Sequence, residues 1–186
     1  METPLKKFEE LLKEWENCVS KGTARLTQIA NSNQKMTHAD GESWGVLTDA
    51  NSLHQTLRRK LEREAHQSWK QLDSLVGQLA KTVEKMRVFC LFEVDSEIAL
   101  DYNGCPTLSK KQYDVVFQRV VTMYQQELMA KSLILHDILD CHDHDTAVLY
   151  IASWQMQPYI DKTEQQELLQ LLTPPFKRES TQKLVK

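Results

Sequence analysis

The sequence predicts an all-α fold: an elongated helical bundle in which two long heptad-bearing helices form an antiparallel hairpin, followed by a C-terminal set of three helices. Three observations carry this. Leu5, Phe8, Leu12, Trp15, Val19, Gly22, Leu26 and Ile29 are spaced alternately by three and four residues, an a/d seam broken in chemistry only by Gly22. Leu61, Ala65, Ser68, Leu72, Leu75, Leu79, Thr82, Met86 and Phe89 repeat the same spacing. Glycine and proline number five each, whereas Leu, Gln, Lys and Glu abound, and straight-chain residues lose little rotamer freedom in a helix.

The first seam predicts a helix over 4–31. The stretch NSNQKMTHADGESWG after it is polar, holds two glycines and reads as a loop. A second helix is expected from Asp49 or Ser52, where Ser52-x-x-Gln55 has capping-box form, fading over Glu93 to Ala99. Trp69, Val76, Val83 and Cys90 widen its apolar stripe, which suits a bundle better than an isolated zipper. After the turn DYNGCP, Ser109-x-x-Gln112 opens a third helix, with Leu108 and Tyr113 placed as a hydrophobic staple. Val116, Phe117, Val120, Tyr124, Leu128, Leu135 and Leu139 form its apolar face.

A short fourth helix carries Ala147, Ile151 and Trp154 and stops at Gln157, because Pro158 disfavours helical geometry in the residue before it. Asp161 or Thr163 caps a fifth, ending before Pro174-Pro175. Residues 1–173 are read as one helical domain, divided into the hairpin 1–100 and the helices of 105–173. A stalk over 1–100 joined to a small helical unit is the alternative. The basic tail 174–186 is expected to be disordered.

Composition limits the function. A formal charge of −3 removes the simplest case for a nucleic-acid binder. No run approaches the roughly 18 apolar residues of a membrane span, so no membrane partner is expected. METPLKKFEE has no apolar core of a signal peptide, and the four cysteines show no C-x-x-C, so reduced thiols in nucleus or cytosol are expected.

The stretch Cys141-His142-Asp143-His144-Asp145 sets five potential metal ligands in a row, with His136 and Asp140 upstream at i, i+4. A zinc site needs about four ligands converging from separate chain elements. His136, Asp140 and His142 offer three, and no matching C-x-x-C or H-x-x-x-H pair closes the site. The calcium-loop pattern lacks its spaced acids, glycine and terminal Glu. A turn explains more: Asp143 as N-cap, Asp145 in the positive first turn of the helix, both histidines facing solvent. There is no G-x-S-x-G, glycine-rich phosphate loop or H-E-x-x-H, so no catalytic residues, metal or cofactor are expected.

Arg59-Lys60-Leu61 has the form of a cyclin-docking peptide but lies inside a helix. Thr27-Gln28 and Thr181-Gln182 match a checkpoint-kinase target too short to carry weight. The most distinctive stretch is SWQMQPYID, where Trp154, Gln157, Pro158 and Tyr159 are the candidate partner-binding residues, since Trp and Tyr dominate hot spots. The competing reading has Trp154 and Tyr159 pinning the fifth helix onto the bundle.

YQQELMAKSLILHDIL, a short acidic turn and LYIASWQMQPYID together resemble the C-terminal half of the cyclin-dependent kinase 2-interacting protein family. LLKEWENCVSKGTARLTQIAN resembles its N-terminal helix, with Trp15-Glu16 and Ile29-Ala30-Asn31 as matching points. The resemblance implies a non-enzymatic nuclear adaptor, with cytoplasm as a second location. It implies partners among cyclin-dependent kinase 2, a replication-origin kinase and the damage-checkpoint kinase pathway. It further implies an accessory role, beside a second small helical subunit, in an AAA-ATPase complex acting on replicating chromatin and on large-subunit ribosome precursors. Two other functions stay open: a self-associating coiled-coil tether and a metal-dependent enzyme.

Overall fold

The computed structural model describes residues 4–41, 44–48, 52–92 and 110–172. Among them are α1 (Pro4–Gly41), a 3-10 turn (Gly45–Leu47), α2 (Leu53–Phe92), α3 (Lys110–Asp137), α4 (His144–Met156) and α5 (Lys162–Leu172), and no strand. The fold is all-α, and the two long helices pack together. Every heptad position named above that lies among the described side chains of α1 and α2 is buried, from Phe8 to Ile29 and from Leu61 to Phe89.

Helix α1 runs ten residues past the end expected from its sequence, to Gly41. The seam continues by the same alternation, Ile29 to Asn33 to Met36, and Asn33 and Met36 are both buried. A polar residue in an apolar seam disguised helix as loop. Ser52 directly precedes α2 and its carbonyl accepts the Thr56 N–H at 2.9 Å, although its backbone is left-handed at φ 69°. The cap proposed at Ser109 and Leu108, the side chain of Tyr113 and the tail 174–186 lie outside what is described.

Helix α3 also departs in detail. Phe117, Val120, Tyr124, Glu127, Lys131, Ile134 and Ile138 form a seam with the alternating spacing, and all are buried. Charged residues at its middle interrupt the apolar pattern, so the sequence points to Leu139 where the buried residue is Ile138. Leu139 is half-buried.

Contacts divide the chain into two compact units. The first comprises Met1–Trp15, Lys81–Glu127 and Pro158–Lys186; the second comprises Glu16–Ala80 and Leu128–Gln157. In the first, Phe8, Phe89 and Phe117 form a triangle with centroids 5.7, 6.3 and 6.0 Å apart. Trp15 meets Tyr124 edge-on at 4.9 Å, a favoured aromatic geometry. Lys85 bonds Glu14 at 2.7 Å and Arg119 reaches Glu164 of α5 at 3.4 Å, both exposed pairs of little energetic weight. Asp161 caps α5, its carboxylate accepting the Thr163 N–H at 2.7 Å.

In the second unit, α1 and α2 run antiparallel: Cys18 reaches Gln78 at 3.6 Å, Ser68 bonds Gln28 at 3.2 Å and Arg58 bonds Asp40 at 3.0 Å. The C-terminal part of α3 lies on this pair, where the Trp69 indole N–H donates to the Leu135 carbonyl at 2.9 Å.

Candidate functional site

The α3–α4 hairpin of the second unit holds most of the residues singled out in sequence. Helix α3 ends at a turn whose carbonyls have no onward helical partners. Asn33, buried on α1, supplies them: its side-chain amide donates to the carbonyls of Ile138, Leu139 and Cys141 at 3.0, 3.1 and 3.0 Å. One asparagine thus fixes where α3 stops relative to α1. Its own Oδ1 is buried without a partner, a strain that the three donated contacts offset.

The ligand-rich stretch after it is a turn. Asp143 is the N-cap of α4, extended at φ −79° and ψ 125°, and accepts from the Thr146 N–H at 2.8 Å and its hydroxyl at 2.6 Å. These bonds hold the Asp143 carboxyl below the ordinary aspartate range. Asp145 lies in the first turn, and His142 and His144 are exposed. Cys141 is buried, and desolvation pushes its thiol above the ordinary value, away from thiolate reactivity. Among the described residues no group of three or more His, Cys, Asp or Glu is placed to hold a metal ion.

Trp154 is fully buried, its indole lying against α1. Its Nε1–H donates to the Val19 carbonyl at 2.9 Å. The indole passes so close to Gly22 that an added Cβ would stand 2.3 Å from Cζ2. The interruption in the first seam is therefore a socket. The Lys131 ammonium, also fully buried, donates to the Trp154 carbonyl at 2.8 Å and sits 4.6 Å from the ring centroid. At the end of α4, Gln157 takes the left-handed conformation (φ 50°, ψ 63°) common at helix C-termini, and its amide donates to both Glu16 oxygens at 3.3 and 3.1 Å.

Of the four candidate partner-binding residues, Trp154 and Gln157 are thus interior to the second unit. Pro158 and Tyr159 belong to the first, where both side chains are exposed and the Tyr159 N–H donates to Glu127 at 3.2 Å.

What α4 offers to solvent was not singled out in sequence. A surface helix ordinarily opposes an apolar face to a polar one. Helix α4 is apolar around most of its circumference: behind buried Ala147 and Trp154, Val148, Leu149 and Met156 are exposed, Leu149 by 65% and Met156 by 80%. On α3, Met129 and Leu133 are exposed by 68% and 66%. The signal was present in LYIASWQM, which has too few polar residues for a helix buried on one side only.

A cleft of about 510 Å³ opens beside Asn33, lined by Met36, Asp40, Arg58, Glu62, His66 and Asp140 among others. Arg58 is tied to Asp40 and Glu62, each at 3.0 Å, so its charges largely answer one another. Among the described residues no helix is long and apolar enough to cross a membrane. The chain matches no protein-family model, and no curated protein matches it either.

Proposed function

We propose that this chain is a non-enzymatic helical adaptor that works by docking helices rather than by chemistry. The observation that carries the reading is α4: its inner face is pinned by directional contacts to Val19, Gly22 and Lys131, while Leu149 and Met156 on its outer face stand in solvent. Burying two such side chains on a partner is worth roughly 3–6 kcal/mol before the cost of association. An exposed apolar face is the usual mark of a protein interaction site.

The resemblance to the cyclin-dependent kinase 2-interacting protein family supplies the partner class. In this reading the chain is a nuclear accessory subunit of an AAA-ATPase complex, paired with a second small helical protein. It serves replication-fork and checkpoint functions and large ribosomal subunit maturation, and the resemblance also links it to cyclin-dependent kinase 2 and a replication-origin kinase. Trp154 and Gln157 act by holding α4, and the contact itself falls to Leu149 and Met156; Tyr159, exposed on the other unit, is a separate candidate.

Affinity purification of the full chain from its own cells, followed by mass spectrometry, tests this. An AAA ATPase recovered with the wild type and lost with a Leu149→Ser/Met156→Ser double variant of unchanged helicity is the expected result. Recovery of the ATPase with both, or with neither, removes the reading.

A further inference from the structure

The outer surface of the α3–α4 hairpin has a direction. Lys131 bonds the Trp154 carbonyl at 2.8 Å and the Tyr150 hydroxyl donates to Asp137 at 2.6 Å, so the two helices run antiparallel and residues adding to about 286 are level. On α3, Met129, Leu133 and Asp137 follow at i, i+4 and i+8, and all three are exposed. Leu133 is one turn from the aspartate that bonds Tyr150, so it lies on the flank toward α4. On α4, Asp145, Leu149, Ser153 and Met156 form the matching row, with only the small Ser153 half-buried. Each row runs from a methionine at the open end, through leucine, to an aspartate toward the turn end, with the α4 row offset by one turn so that Leu149 is level with Asp137 and Ser153 with Leu133.

Charge reinforces that polarity. Between Leu128 and Gln157 the chain has one Lys or Arg, Lys131, and it is fully buried. Asp137, Asp140, Asp143 and Asp145 are all exposed at the turn end. No lysine or arginine between Leu128 and Gln157 stands in solvent to balance them, although the imidazoles of His136, His142 and His144 are exposed at the same end.

We infer that this surface binds an amphipathic helix whose apolar row ends in a cluster of lysines or arginines, oriented so that the basic end lies over Asp137 and Asp145. Two antiparallel rows at helical spacing leave a shallow groove, the shape that receives a third helix by ridge-into-groove packing. The apolar part spans two turns, about 10 Å at the helical rise, so roughly three apolar positions of the partner are engaged. A second copy of this chain is the wrong occupant. A two-fold contact sets the acidic end against either the same end or the methionine end of the other copy, so in neither arrangement does a lysine or arginine meet the aspartates. An anionic membrane surface is repelled for the same reason.

The inference rests on the docking reading above and sharpens its partner. The test uses the full chain and three synthetic peptides of about four helical turns, followed by fluorescence anisotropy. One carries leucines at i, i+3 and i+7 with three lysines in one terminal turn; the second replaces the lysines with glutamates; the third replaces the leucines with serines. The lysine peptide is expected to bind at least about tenfold more tightly than the glutamate peptide, with the gap shrinking as salt rises. Asp137→Asn/Asp145→Asn should bring the two affinities to within about twofold, because the amides keep the shape and lose the charge. The serine peptide should not bind.

Equal affinity for the lysine and glutamate peptides overturns the inference, as does a double variant that keeps the full difference. A dimer in light scattering that Leu149→Ser disrupts overturns it in favour of a second copy. If no peptide binds but Leu149→Ser/Met156→Ser still loses the native partner, the charge inference fails and the adaptor reading stands. If the lysine peptide binds as expected while native capture ignores those substitutions, the adaptor reading is the one that fails.

Discussion

The two units close their interiors by different means. In the first, Phe8, Phe89 and Phe117 meet as rings 5.7 to 6.3 Å apart, contacts whose strength depends on area and density more than on any one direction. In the second, the interior turns on directional contacts: Trp154 to the Val19 carbonyl, Lys131 to the Trp154 carbonyl, Trp69 to the Leu135 carbonyl and Asn33 to three carbonyls after α3. An apolar cluster tolerates a swap of similar volume. A set of buried hydrogen bonds does not, because each lost donor strands an acceptor. The price of that rigidity is fragility to single changes, and its return is a hairpin whose outer rows are held in register.

The sharpest way to break this contrast is at the socket. Trp154→Ala removes a fully buried indole and its hydrogen bond, and should cost about 3–5 kcal/mol, read as the largest drop in thermal midpoint. Gly22→Ala should cost about 1–3 kcal/mol, even though alanine is the better helix former, because its Cβ would stand 2.3 Å from the indole. A stabilised Gly22→Ala would mean that the indole has room to move. Asn33→Leu keeps an apolar seam but removes the amide that three carbonyls share, of which only Ile138 keeps a backbone donor, the Cys141 N–H at 3.4 Å; a loss of about 2 kcal/mol is expected from chemical denaturation. In the first unit, Phe89→Leu should cost only about 1 kcal/mol. If it costs more than Asn33→Leu, the comparison is reversed.

The smallest effects are those of pH. The Asp137 carboxylate beside the Tyr150 hydroxyl raises that phenol to about 12. Its folded value lies above the unfolded one, so the stabilisation is whole below the unfolded value of about 10 and is lost as pH rises through the folded one. Tyr150→Phe should remove one step near pH 12 from the tyrosinate absorbance titration. Asp143 has the opposite sign: its carboxyl is held low by Thr146, so its contribution is present above the unfolded aspartate value and fades as pH falls through the folded one. Asp143→Ala should lower stability slightly at neutral pH and leave it unchanged in acid.

The sequence made the helices legible because their apolar residues keep one alternation for many turns, and it identified Asp143 as a cap because that role depends only on local chain geometry. It was least informative where a seam position is polar. Asn33, Glu127 and Lys131 occupy buried heptad positions, yet asparagine reads as loop and charge reads as surface. Their roles depend on partners far along the chain, such as the carbonyls at 138 to 141 for Asn33, and no local pattern announces such a pairing. The aromatic corner was divided for a related reason. Trp154 and Tyr159 are close in sequence, but the first is sealed inside one unit and the second is half-exposed in the other. Gly22 looked like a flaw in the seam, and only the position of Trp154 explains it.

At the centre of the account is a division of labour on α4, with its inner face carrying stability and its outer face free to dock. Thermal unfolding of Trp154→Ala beside Leu149→Ser/Met156→Ser, both followed by circular dichroism in the full chain, tests it most directly. The account predicts that the first midpoint falls by on the order of 10 °C while the second stays within about 2 °C of the wild type. Equal falls in both would show that the outer face is also needed for stability, and would contradict it.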